Sequence, residues 1–153
     1  MLRRYTFWLW TAVVFLLLTG AVHAISLFIS PTGQTETERQ LLALMISYKL
    51  DMGAGFHPTM WNLFTALSSC LTFLCLLGGL TIAYLLKKRA PADILKGVVA
   101  IHLLVFAACF IVNSVFTFLL PIVLTGLCVL FLALGLITIP RGSRVPRPED
   151  QAQ

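Results

Sequence analysis

The sequence predicts an all-α membrane protein: four transmembrane helices in an antiparallel bundle, with one amphipathic surface helix between spans 1 and 2. Three observations carry this reading. The chain is 59% apolar and only 11% charged, against about 45–50% and about 25% in an average soluble domain. A soluble fold of this size could not hide so much apolar surface, whereas a bilayer solvates it. Apolar runs free of Asp, Glu, Lys and Arg recur along the chain, each long enough to cross a hydrocarbon core of about 30 Å. The basic residues flank these runs: nine of the eleven Lys and Arg, all but Arg39 and Lys49, fall in three clusters. These are Arg3 and Arg4; Lys87, Lys88, Arg89 and Lys96; and Arg141, Arg144 and Arg147.

The first span is expected over 5–29. Val22 and Ala24 have the spacing of a signal-peptidase site. The run is longer than the apolar core of about 7–15 residues in a cleaved signal, and it carries Trp8, Trp10 and Phe15, so it is read as an uncleaved span. Pro31 and Gly33 then break the helix. Thr35 and Glu38 form the S/T-x-x-E pattern of a capping box. An amphipathic helix is expected over 35–52, with Leu41, Leu44, Met45, Tyr48 and Met52 at helical spacing and Gly53 and Gly55 as its stop.

The second span is expected over 59–86, after His57-Pro58, with Trp61 at interface depth and Tyr84 near the far end. No charge occurs from Gly97 to Pro140. That length fits two spans, 97–116 and 121–139, joined by a very tight turn, with Pro121 in the first turn of the last helix. The third helix is expected to start near Ala92. Residues 1–140 make one domain, and 141–153 read as a disordered tail rich in Pro and charge. With four spans all three basic clusters fall on one side, which the positive-inside rule makes cytoplasmic, together with both termini. The surface helix then faces outward.

The absences narrow the chemistry. The hydrocarbon part of every expected span lacks Asp, Glu, Lys and Arg. Proton-coupled export and intramembrane aspartyl proteolysis both need such a group. Thiol–quinone exchange needs a C-x-x-C pair, and Cys70, Cys75, Cys109 and Cys128 make none; they read as small packing residues. A haem would need a partner for His102 at matching depth, and His23 lies nearer the opposite surface. His102 is expected instead to bond a hydroxyl such as Thr72 or Thr81, or a backbone carbonyl. Neither a cofactor nor a metal is expected, and clusters that flank apolar runs point away from nucleic acid.

What remains is a set of outward polar residues. His23, His57, Asn62 and Asn113 are candidates to converge on a ligand-binding pocket, with Tyr48 and Asp51 brought over it by the surface helix. The competing reading makes the same residues helix-packing glue.

The stretch from Gly20 to Leu80 carries Gly20 and His23, Pro31, the run from Glu38 to Met45, Tyr48 with Asp51, Gly55, Pro58-Thr59, Leu63, Ala66-Leu67-Ser68, Phe73 and Gly79. In these features it resembles a family of small bacterial four-span inner-membrane proteins with no assigned activity. The resemblance implies a bacterial inner-membrane location and singles out His23 and the surface helix. It names no reaction. Two functions stay open: a structural, accessory or lipid-interacting bundle, or a membrane enzyme or small-ligand binder using the His/Asn pocket. The first is preferred. The partners expected are the lipid bilayer and anionic lipid at the basic clusters, with association into homo- or hetero-oligomers left open.

Overall fold

The computed structural model describes residues 2–29 and 31–140; the expected disordered tail lies outside the described residues. Five helices account for most of the chain: α1 (Leu2–Ser26), α2 (Glu36–Ser47), α3 (Met60–Lys87), α4 (Ala92–Phe116) and α5 (Leu119–Thr138). Four of them, all but α2, are long and apolar enough to cross a membrane. The fold is therefore an all-α, four-span helical bundle with one extra helix.

Local chemistry sets the helix ends. α1 loosens into a turn in which the N–H groups of Leu27, Phe28 and Ile29 donate to the carbonyls of Ala24, Ile25 and Ser26. These bonds reach three residues back, the tighter pattern common where an α-helix ends. α3 ends with Arg89 at φ 51°, while Ala90 N–H donates to Leu85 O and Arg89 N–H to Leu86 O. This is a Schellman-type stop with Arg in the place glycine usually holds. Only Thr117 and Phe118 separate α4 from α5. Thr117 closes α4 by donating both its backbone N–H and its hydroxyl to Asn113 O. Pro121 sits at the third position of α5, within the first turn, where its missing N–H leaves no helical bond unmade.

The surface helix corrects the expected boundary. Its start agrees: Glu38 N–H donates to Thr35 Oγ1 at 3.2 Å, and Thr35 N–H to Glu38 Oε2 at 3.1 Å. It ends at Ser47, however, and does not continue to Met52. Tyr48 is extended (φ −73°, ψ 122°), and the chain turns back on itself. Lys49 pairs antiparallel with Thr59, Leu50 N–H donates to Pro58 O, and Met52 N–H donates to Phe56 O. The reversal runs through left-handed backbone at Gly53 (φ 76°), Ala54 (φ 50°) and Gly55 (φ 81°). Two glycines make that turn accessible without steric cost, so the chain makes hairpin bonds there instead of another helical turn.

Contacts group the chain into two compact units. The first contains residues up to Leu16 and those from Gly78 onward; the second is Leu17–Leu77. α1 and α3 contribute to both. In the first unit α4 packs along α5, with Phe110 over Gly126. Trp8 and Phe15 of α1 each stack on Phe131 of α5, at 6.1 and 5.1 Å between ring centroids. Leu9 lies directly against Gly135, and His102 and Phe106 lie against Gly78. Leu9, Leu16, Ile82, Val99, Phe106 and Leu132 are fully buried there. The second unit is thinner. Thr19, Gly20, Thr72 and Cys75 are its buried residues among those described, and Gly20 lets α1 close on Cys75 and Leu76 of α3.

A matched pair of alanine substitutions checks this packing. A Cβ at Gly135 would collide with the Leu9 side chain, whereas one at Gly97 would meet nothing within 4 Å. Gly135→Ala should lower stability by about 1–3 kcal/mol, the usual cost of overpacking. Gly97→Ala should be neutral or stabilising by about 0.5–1 kcal/mol through helix propensity. Unfolding midpoints in mixed detergent micelles would read both. Equal effects at the two sites would refute the close contact at Gly135.

Candidate functional site

Five of the six candidate residues, His23, Tyr48, Asp51, His57 and Asn62, lie in the second unit. Asn113 belongs to the first.

His23 sits three residues before the end of α1 and is half-buried. Its Nε2 lies 2.9 Å from the backbone carbonyl of Ser68 on α3. A carbonyl accepts, so Nε2 carries the proton in this arrangement and fixes the tautomer. Gly20, one turn earlier on α1, makes the reach short enough: its missing side chain lets α1 approach Thr72 and Cys75. His23 thus bonds across the α1–α3 contact, as the packing reading expects of a histidine.

That bond displaces another. Helix hydroxyls in this chain bond repeatedly to the carbonyl four residues back: Thr11 to Phe7, Ser69 to Thr65, Ser114 to Phe110, Thr125 to Pro121 and Thr138 to Leu134. By the same pattern Thr72 would bond Ser68 O. That oxygen already accepts the helical N–H of Thr72 and the imidazole of His23. The Thr72 hydroxyl is buried without a hydrogen-bond partner among the described residues.

The remaining members have separate duties. Asn62 Oδ1 accepts from the backbone N–H of Thr59 at 3.0 Å and from its hydroxyl at 2.8 Å, while Asn62 N–H donates to Thr59 Oγ1 at 3.2 Å. This reciprocal cap starts α3. Asp51 Oδ1 accepts the Gly53 N–H at 2.9 Å, shaping the hairpin turn, and lies 3.9 Å from His57 Nδ1 with both side chains exposed. Tyr48 is the exposed C-cap of α2. α2 buries none of its residues, so the expected lid over a polar pocket does not form within its unit. Asn113 is buried on α4, with its backbone oxygen closing the helix end and its Nδ2 unpartnered among the described residues.

His102 bonds neither Thr72 nor Thr81; its Nδ1 lies 2.8 Å from Val98 O on its own helix. Among the described residues no group of three or more His, Cys, Asp or Glu is placed to hold a metal. A partly open cavity of about 220 Å³ in the second unit is lined by Leu27, Phe28, Ile29, Pro31, Ile46 and Trp61. Sequence reasoning missed it because its walls come from three short segments with no shared motif. No protein-family model, curated protein or solved structure matches the chain.

The competition at Ser68 O makes a double-mutant prediction. Thr72→Val alone should be neutral or stabilising by about 1 kcal/mol, because it removes a buried hydroxyl with no partner. His23→Ala should cost about 0.5–1.5 kcal/mol, in the range of interhelical bonds in lipid. In the His23→Ala background the Thr72 hydroxyl can turn to the freed carbonyl, so Thr72→Val should now be destabilising. Strictly additive unfolding energies would show that the two side chains do not share the oxygen.

Proposed function

We propose that this chain is a multi-pass bacterial inner-membrane protein that acts as a structural, accessory or lipid-interacting bundle. The observation that carries this is the state of α2 and the hairpin. Leu41, Leu44, Tyr48, Met52 and Phe56 are all exposed, while the polar residues beside them are taken up by caps and turns. An amphipathic helix must bury its stripe somewhere. A membrane interface receives it without demanding any further protein surface.

The basic residues orient the bundle. Lys87, Lys88 and Arg89 are exposed around the α3–α4 turn, and Lys96 lies one turn into α4. By the positive-inside rule this turn and both termini face the cytoplasm, where anionic headgroups meet the cluster. α2 and the hairpin then lie on the periplasmic leaflet. The alternative is a membrane enzyme or small-ligand binder using the His/Asn residues, of which the second unit holds His23, His57 and Asn62 and the first Asn113.

Topology reporters provide the direct check. Fusions after Met52 should report a periplasmic location, and fusions after Ala90 and after Gln153 a cytoplasmic one. With the native cysteines replaced, a nitroxide at Leu44 in liposomes should be reached by lipid-soluble oxygen, and one at Gln40 by a water-soluble nickel chelate. A water-exposed Leu44 would remove the case for an interfacial helix.

A further inference from the structure

We propose that the second unit binds one phospholipid, with an acyl chain in the apolar groove and the lipid phosphate held by Lys49. This rests on the membrane reading above and gives it a specific ligand. The groove walls, Leu27, Phe28, Ile29, Pro31, Ile46 and Trp61, present apolar side chains together with backbone polar atoms. A dry apolar cavity of about 150 Å³ accepts a molecule the size of benzene. At about 220 Å³, this groove, open on one side, has room for a hydrocarbon segment.

Position selects the source of that hydrocarbon. Leu27, Phe28 and Ile29 directly follow α1, and Trp61 is the second residue of α3. The groove therefore lies at the ends of two spans and continues into side chains left bare on the same helices, Ile25 and Phe64. An acyl chain in the adjoining leaflet reaches it without leaving the membrane.

Charge selects the headgroup. Glu36 and Arg39 hold each other at 3.0 Å. Glu38 Oε2 is occupied by the N–H groups of Gln34 and Thr35, and Asp51 by Gly53 and the nearby His57. Among the described residues Lys49 has no ion pair. It follows Ile46 by three residues, and its antiparallel partner Thr59 precedes Trp61 by two. A cation without an ion pair among the described residues thus lies within three residues of one groove wall, and its backbone partner within two of another.

The test uses the full chain with Trp8 and Trp10 replaced by Phe, which leaves Trp61 as the one indole of the three, in dodecyl maltoside micelles. Dioleoyl phosphatidylglycerol brominated at its double bonds should quench Trp61 saturably, and native mass spectrometry should show one bound lipid. Brominated dioleoylglycerol has the same chains without the phosphate and should bind about fivefold more weakly. Lys49→Gln, an exposed change that leaves the fold intact, should erase that difference. Ile46→Phe, which fills the groove, should abolish saturable quenching by both lipids. Quenching that never saturates, is equal for the two lipids and ignores Lys49→Gln would overturn the proposal. So would a bound lipid that both variants retain. The underlying membrane reading fails separately, if alkaline carbonate strips the protein from membranes. A carbonate-resistant protein with no saturable site refutes the lipid site alone.

Discussion

Close backbone approach is the constraint on which the rest of this bundle depends. In lipid no hydrophobic force drives one apolar helix onto another, so association relies on packing contacts and a few polar bonds. Each helix contact described here forms over a missing side chain. Leu9 of α1 fills the space at Gly135 of α5, Phe110 of α4 that at Gly126, and His102 with Phe106 that at Gly78 of α3. In the other unit Gly20 performs the same task between α1 and α3. Large residues then supply the dispersion that small ones make room for, as in the stacking of Trp8 and Phe15 on Phe131.

The same closeness decides what the polar residues do. With helices this near, a side chain reaches main-chain oxygen more readily than another side chain. His23 finds Ser68 O across the α1–α3 contact, and His102 turns to Val98 O on its own helix. Hydroxyls along the spans bond the carbonyl one turn back. Such bonds spare each group the cost of an unpaired polar atom in hydrocarbon. His23 and Asn62 each take a local or main-chain partner in this way.

Much of the fold was legible because its signals are written in side chains. Uncharged run length placed the four spans, the Thr35–Glu38 pair placed the start of α2, and Pro121 placed the turn before α5. Two features were not legible, each for a physical reason, and a third was legible but read otherwise. The hairpin over 48–59 does alternate apolar and polar residues from Tyr48 to Met52, but Tyr48 and Met52 also continue the helical spacing of Leu41, Leu44 and Met45, and the ladder itself is made by backbone groups around two glycines. The partner of His23 is a carbonyl, which every residue carries and no sequence pattern marks. Asn62 did leave a signal: Thr59 and Asn62 repeat the reciprocal spacing of Thr35 and Glu38. Its place near the outward histidines favoured a pocket over a cap, although the cap needs only neighbours in sequence.

The two units differ in what completes them. Aromatic stacks and fully buried aliphatic side chains close the first from within. In the second, α2 and the hairpin keep their shape by local bonds alone: a capping box, a short ladder, an Asx contact at the turn and the pair of Glu36 with Arg39. None of these needs a neighbouring span, and none covers Leu41, Leu44, Met52 or Phe56. Such a segment has its conformation settled locally while its apolar face stays bare within the chain. At the ends of membrane spans its surroundings are the boundary between acyl chains and headgroups.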